Sequence, residues 1–350
     1  MNPNLPIPVS EVTVREPKYP YIQKRKRKKS KAAFLLLMLV MIAVVAVCII
    51  SLLPGGFSGL FSGLLGSDKE QTEGSTTEGT TTTAATTNLY EFDFDRVTDG
   101  AFAILPRDLS ARNVGLFIDN LAGKDGVDAI LPRALDKVES GKVSVLVINT
   151  HPYEAYMASG AYEYTDGAVV NSDERARTVG AAADAFIAAL EASGVGAVYV
   201  NVPTDGGRNS YASACAALEE ALALYPDVQY IVDIHRDILL DEEGNMIRPV
   251  TAGENGTLAQ VRLIIGTDGD GAVYENWQDG AMASLALTEA LTAQYPSLMM
   301  PTEISRSRLN QHLPCTVFTV EIGTCGNSVE EAVRSAEILG AVLAGEILEP

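Results

Sequence analysis

From Leu89 onward, short apolar runs alternate with longer stretches in which apolar residues recur every three or four positions. "VSVLVIN", "GAVYVNV", "VQYIVDIH", "QVRLIIGT" and "CTVFTVEIG" are nearly continuous in apolar residues, as strands buried on both faces must be. "ERARTVGAAADAFIAALEASG", "YASACAALEEALALYP", "NWQDGAMASLALTEALTAQYP" and "SVEEAVRSAEILGAVLAGEIL" carry helical spacing instead. A shorter helix is expected in "AILPRALDKVES". Strands separated by helices of this length predict an α/β domain, a twisted and mostly parallel sheet flanked by helices. Ligands of such sheets gather beyond the carboxyl ends of the strands. Those ends are therefore where the chemistry is expected.

The first 88 residues follow other patterns. "AAFLLLMLVMIAVVAVCIISLL" (Ala32–Leu53) is uncharged and long enough to cross the roughly 30 Å hydrocarbon layer as a helix. A cleavable signal peptide would have a shorter apolar region and a small-residue cleavage site, whereas "PGGFSGLFSGLLG" follows here. Residues 1–31 hold nine Lys/Arg against two Glu, a net +7; the whole chain carries −19, which leaves −26 on the remainder. Positive flanks stay in the cytoplasm, so the chain is expected to be a single-pass cell-membrane protein with its N-terminus inside. The acidic remainder argues against nucleic acid as a ligand. The Thr/Ser/Gly-rich stretch within 54–88 has no apolar period and reads as a disordered linker. The expected plan is thus a basic tail (1–31), a membrane span (32–53), a linker (54–88) and an extracytoplasmic domain (89–350). Four cysteines with no CxxC pair exclude a zinc-finger or redox motif. A Cys315–Cys325 disulfide is one option, and small buried apolar residues the other.

Four strands end on unusual chemistry. "VLVINT" runs into His151 with Glu154 following, "YIVDI" into His235, "RLIIGT" into Asp268, and "VFTVEIG" carries Glu321 before a Gly-rich turn. The chain has only three histidines, and two stand at matching strand ends. Imidazole and carboxylate are the usual ligands of a catalytic zinc, and a nearby carboxylate can act as general base. Arg236 and Asp237 are expected to orient His235 through charge-assisted hydrogen bonds. Trp277 reads as helix core, and "GTDGDG" offers too few oxygens for a calcium loop.

The ordered set "INTHPYEAY", "VDIHRD", "QVRLIIGTDG…NW", "LNQHLP" and "FTVEIGTCGNSVEEA" resembles the stage II sporulation protein P family over about residues 140–345, and the N-terminal anchor extends the resemblance. That resemblance implies a membrane-anchored peptidoglycan hydrolase similar to zinc-dependent N-acetylmuramoyl-L-alanine amidases, with Zn2+ as cofactor. It implies stem-peptide release from glycan strands during sporulation engulfment, with endopeptidase activity also attributed to the family. Stage II sporulation proteins D and M are the implied partners. By the same resemblance His151 and His235 hold the metal and Glu321 is the general base. The third ligand is Glu154 by the family's own motif, or Glu174 by analogy with related amidases. Asn310 and Gln311 match an Asn-Gln pair, which suggests substrate contact. The chain departs from the motif at Asn149, where the family carries a histidine; Asn149 is expected to stand behind the ligands. The rival readings are a zinc endopeptidase and a degenerate module that binds peptidoglycan or partners without catalysis.

Overall fold

The computed structural model describes residues 93–110, 118–165, 171–203 and 210–349. The basic tail, apolar span and linker expected over 1–88 lie outside the described residues. Among the described residues no helix is long and apolar enough to cross a membrane. Residues Ala85–Pro350 cluster as one compact unit.

Among the described residues this unit holds eleven strands and four α-helices. The strands are β1 (Phe102–Arg107), β2 (Ile118–Asn120), β3 (Val143–Ile148), β4 (Glu163–Tyr164), β5 (Gly196–Val200), β6 (Tyr230–Asp237), β7 (Met246–Gly253), β8 (Gly256–Ala259), β9 (Val261–Ile265), β10 (Thr302–Ile304) and β11 (Thr316–Thr324). The helices are α1 (Val179–Ala192), α2 (Ser210–Leu224), α3 (Trp277–Gln294) and α4 (Val329–Ile347). Seven strands form the main sheet in the order β2-β10-β9-β11-β6-β3-β5, and β4-β1-β7-β8 form a second, four-stranded sheet.

The main sheet is parallel at every pairing except β9 with β11. The exception has a topological cause. A parallel neighbour needs a crossover connection, which α1 and α2 supply between β3, β5 and β6. Between β6 and β9 the chain makes the β7–β8 hairpin instead, and β9 enters the sheet reversed. The carboxyl ends of β3, β6 and β11 therefore share an edge with the amino end of β9. Asp268, beyond the far end of β9, is on the opposite edge and pairs with Lys124. It does not join the other strand ends, because β9 runs antiparallel to β11.

Alternation divides each central strand between two cores. Tyr230, Val232 and Ile234 of β6 and Phe318, Val320 and Ile322 of β11 pack with α1, α3 and α4. Ile231 of β6, Val317 of β11 and Leu146 and Ile148 of β3 pack under α2. Helix α4 lies so close to α1 that a Cβ on Gly340 would stand 2.7 Å from the Phe186 carbonyl oxygen. Trp277 is buried with Ile265, Ala281 and Ile304, as its place on a helix implies.

Some local expectations fail. Ala129–Ser140 is not a helix beyond a 3-10 turn at Val127–Ala129. Pro132 lacks the N–H a helix interior requires, and the strip runs extended, with the Val138 N–H donating to Ile347 O at 2.8 Å. Cys315 and Cys325 flank the nine-residue strand β11. At about 3.3 Å per residue they stand roughly 30 Å apart, which no disulfide spans, and both are free thiols.

Glu331 joins the second sheet to α4. Its carboxylate accepts from Arg248 Nε at 3.1 Å, Thr257 Oγ1 at 2.5 Å and Asn327 Nδ2 at 3.0 Å, and closes a capping box with Ser328. Burial opposes ionisation, but the hydrogen bond and charge of Arg248 hold this carboxyl below its usual range. Glu331→Gln is expected to cost on the order of 3 kcal/mol, since it leaves Arg248 without its partner. The contribution is fully present above the unfolded pKa of about 4.3 and fades as pH falls through the lower folded value. The gap in denaturant midpoint between the two proteins should accordingly narrow in acid.

Candidate metal and acid–base site

The α2-facing residues of β6 change character along the strand, from Ile231 through Asp233 and His235 to Asp237. On β11 the same face carries Val317, Thr319 and Glu321. Parallel pairing sets Glu321 directly beside His235. The apolar ends of these strands lie under α2, and their polar ends form the floor of a site at the sheet edge.

Glu154 reaches the same place from the loop after β3. That loop is pinned at several points: Glu154 N to His151 O at 3.1 Å, Val179 N to Glu154 O at 2.9 Å, and Tyr156 Oη to Ile322 O at 3.0 Å. The turn folds Glu154 back onto His151. Glu154 Oε1 lies 3.4 Å from His151 Nδ1, and Oε2 lies 3.3 Å from His235 Nδ1. His235 is 3 % exposed, Glu154 16 % and His151 38 %, so the group opens to solvent on the His151 side.

One donor atom from each of His151, Glu154 and His235 lies within 4.8 Å of the others. Ligands about 2.0–2.1 Å from a tetrahedral zinc stand roughly 3.3–3.4 Å apart, close to the two nitrogen–oxygen separations here. The donor set and its spacing fit a zinc ion. Glu174 is exposed at the start of a 3-10 turn and outside this group.

Electrostatics favour a cation in the same place. Burial disfavours a charged His235, yet Asp233 and Glu154 on its two sides hold its pKa well above the ordinary value. Burial also opposes ionisation of Glu154, but His235, His151 and Arg236 keep it well below the usual carboxylate range. Carboxylates that favour a proton on an imidazole also favour a divalent ion beside it. Burial pushes Glu321 up to about 8; His235 and Arg236 oppose the shift, while Glu154 and Asp237 add to it. Glu321 Oε2 is buried with no hydrogen-bond partner in the protein. An orphaned carboxylate oxygen is costly, and its presence beside His235 marks a place where something else is meant to bind.

The supporting residues differ from those expected. His235 Nε2 is 3.0 Å from Asp233 Oδ1 but off the line of a good hydrogen bond, so Asp233 acts on the ring mainly through its charge. Asp233 is itself held by Thr150 N at 2.9 Å and Thr150 Oγ1 at 2.7 Å. The signal was present in "VDIHRD", because i and i+2 share a face of a strand. Arg236 supports Glu154 rather than His235: its backbone N–H donates to Oε2 at 3.2 Å and its guanidinium to Ala155 O at 3.2 Å. Asp237 stands 3.5 Å from Arg262.

Asn149 is fully buried, donating to Ile234 O at 2.6 Å and accepting from Tyr199 Oη at 2.9 Å. It continues the parity of Val145 and Val147, on the face covered by α1 and α4, and ties three strands together rather than backing the ligands. Gln311 is likewise engaged within the fold. Its Oε1 accepts from Gly266 N at 2.8 Å, and its Nε2 donates to Ile264 O at 2.8 Å and Thr319 Oγ1 at 2.9 Å. Gln311 braces β9 against β11. Asn310, in the left-handed region at φ 55°, donates to Tyr211 O at 2.8 Å. His312 does not belong to the metal-ligand group.

Tyr211 is the residue that sequence reasoning missed. Its ring centroid lies 5.4 Å from that of His151 and 6.3 Å from that of His235, and the two imidazoles are 5.0 Å apart. It sits on α2, far along the chain from either histidine, and nothing in its own neighbourhood marks it.

The described domain is expected to bind about one zinc per chain and His235→Ala to bind none, since a structural or catalytic zinc needs at least three protein ligands. Asp233→Asn should keep the fold and weaken zinc about 10- to 100-fold in competition with a chelator, the effect of losing a carboxylate behind a ligand.

Residues 66–344 match the family model described as Stage II sporulation protein P (SpoIIP). Stage II sporulation protein P of Bacillus subtilis (strain 168) is 26% identical over 209 residues, covering 56% of this chain and 49% of that protein. The matched stretch thus spans about half of that relative's length. Among solved structures, the N-acetylmuramoyl-L-alanine amidase AmiC2 of Nostoc punctiforme is similar at 15% identity and a TM-score of 0.35, over 59% of this chain and 96% of that one. The CwlD amidase from Clostridioides difficile, solved in complex with the GerS lipoprotein, is similar at 10% identity and a TM-score of 0.36, over 58% and 95%. Likeness of that degree is too weak to transfer an activity. The family match rests on firmer ground, covering most of the chain including every residue of the site just described: this protein belongs to the stage II sporulation protein P family.

Proposed function

We propose that the protein is a zinc-dependent peptidoglycan hydrolase that cuts the N-acetylmuramoyl-L-alanine amide. The observation that carries the reading is the union of a His151–Glu154–His235 ligand group with a buried, unpartnered Glu321 carboxylate beside it. A zinc ion bound by those three side chains would supply Lewis acidity, acidifying water, polarising the amide carbonyl and favouring the charged form of Glu321.

The remaining work falls to this chain's own groups. Glu321 takes a proton from the attacking water and hands it to the departing L-alanine nitrogen, a task worth about 10²- to 10⁴-fold. Burial raises its pKa and a bound cation would lower it, opposing influences that suit a group which must take up a proton and then release it. Arg236 keeps Glu154 charged and in place. The charge of Asp233 beside Nε2 favours the ring orientation in which Nδ1 faces Glu154.

The basic residues 1–31 and the uncharged stretch Ala32–Leu53 support a single-pass anchor in the cell membrane, N-terminus inside and the domain on the cell-wall side. Family membership supports a role in wall remodelling at engulfment during sporulation, alongside stage II sporulation proteins D and M. Removal of residues 1–53 should release the protein from the membrane fraction.

Glu321→Gln should abolish release of stem peptides from purified peptidoglycan while zinc content is unchanged. Loss of zinc along with release would make Glu321 a ligand, and undiminished release would remove it from the reaction. The masses of the released fragments separate amidase from endopeptidase cleavage, since only the first yields peptides beginning with intact L-alanine.

A further inference from the structure

The ligand-bearing rings do not stand alone. Tyr211 lies edge-on to His151 at 85° and close to parallel with His235 at 21°, so three aromatic rings meet in a triangle at the open side of the site. Its phenol group is within electrostatic reach of His235, Asp233, Glu321 and Glu154.

The backbone of Tyr211 is held in place from behind. Leu309 and Asn310 both adopt left-handed backbone, at φ 52° and 55°, a conformation that costs a non-glycine residue energy and persists where the surroundings enforce it. That turn aims Asn310 Nδ2 at Tyr211 O, 2.8 Å away, and the next residue, Gln311, ties β9 to β11. The start of α2 is thereby fixed to the same pair of segments that carries Glu321.

The phenol end of Tyr211 has no counterpart to this anchoring. Among the described residues its hydroxyl has no hydrogen-bond partner, although the side chain is half-buried and three carboxylates are nearby. A tyrosine presents an apolar ring and a polar tip, and a hydroxyl engaged by no described residue is free to donate to whatever occupies the site. A phenol is protonated at neutral pH and can donate.

From this geometry we infer that Tyr211 is a catalytic residue whose hydroxyl donates a hydrogen bond to the carbonyl oxygen of the bound amide as negative charge develops on it. The proton stays on the phenol; only the hydrogen bond strengthens between ground state and transition state, which is the condition for accelerating the reaction. Glu321 serves the water and the leaving nitrogen, and Tyr211 the carbonyl oxygen. The inference rests on the hydrolase reading above.

The test compares wild type, Tyr211→Phe and Glu321→Gln of the zinc-loaded protein on purified peptidoglycan. Tyr211→Phe keeps the ring against both imidazoles and removes only the donor. Its zinc affinity, read by chelator competition, should match wild type, with KM within about 2-fold and kcat lowered about 10²-fold, the effect of losing one oxyanion donor. A second readout needs no turnover. A muramyl-dipeptide phosphinate, with tetrahedral phosphorus in place of the amide carbon, should bind Tyr211→Phe at least about 10-fold more weakly than wild type. Release and phosphinate binding at wild-type levels in Tyr211→Phe, with Glu321→Gln inactive, would overturn the role of Tyr211 and leave the hydrolase reading standing. Absence of release by the wild type itself would overturn both.

Discussion

The parallel pairing of β6 with β11 is the constraint on which the site depends. Its register sets Glu321 beside His235, and its parity puts both on the face covered by α2. Side chains on a strand alternate strictly, so a slip of one residue would carry Glu321 to the opposite face, where α1, α3 and α4 pack. The buried apolar residues at the start of both strands forbid that slip: Tyr230, Val232, Phe318 and Val320 cannot be exchanged with Asp233, Thr319 and Glu321 without setting charge among apolar side chains. The hydrophobic core thereby fixes the position of a carboxylate relative to an imidazole, which is the precision that acid–base and metal chemistry demand.

Charge is distributed around that pair with little slack. Glu154, Asp233, Asp237 and Glu321 crowd one sheet edge, with Arg236 and Arg262 as the nearby cations. The compensation is uneven. Glu154 is held charged by its neighbours, whereas Glu321 has a buried oxygen without a partner and a raised pKa. Two carboxylates with opposed shifts beside a pair of imidazoles fit the separate duties proposed above, one to hold an ion and the other to carry a proton.

Much of the remaining polar architecture serves to hold these groups still. Asn149, Gln311 and Glu331 are buried side chains whose hydrogen bonds run to backbone or to paired charges, and each ties neighbouring elements together. The resemblance suggested substrate contact for Gln311 and a place behind the ligands for Asn149; in the structure both brace strands against one another.

What the chain determined by itself is its order of strands and helices, and with it the strand ends that carry His151, His235 and Glu321. Continuous apolar runs and helical spacing are local signals, strong because both faces of the central strands are buried. The short strands β2, β4 and β10 have too few residues to show a period, and the hairpin β7–β8, which reverses β9, gave no crossover signal. Only the tertiary structure decided that Asp268 stands on the far edge and that Tyr211 completes the ring of groups. Each of these depends on strand direction or on a helix arriving from a distant part of the chain. Such relations arise when separate segments pack together, and no residue records them in its own neighbourhood.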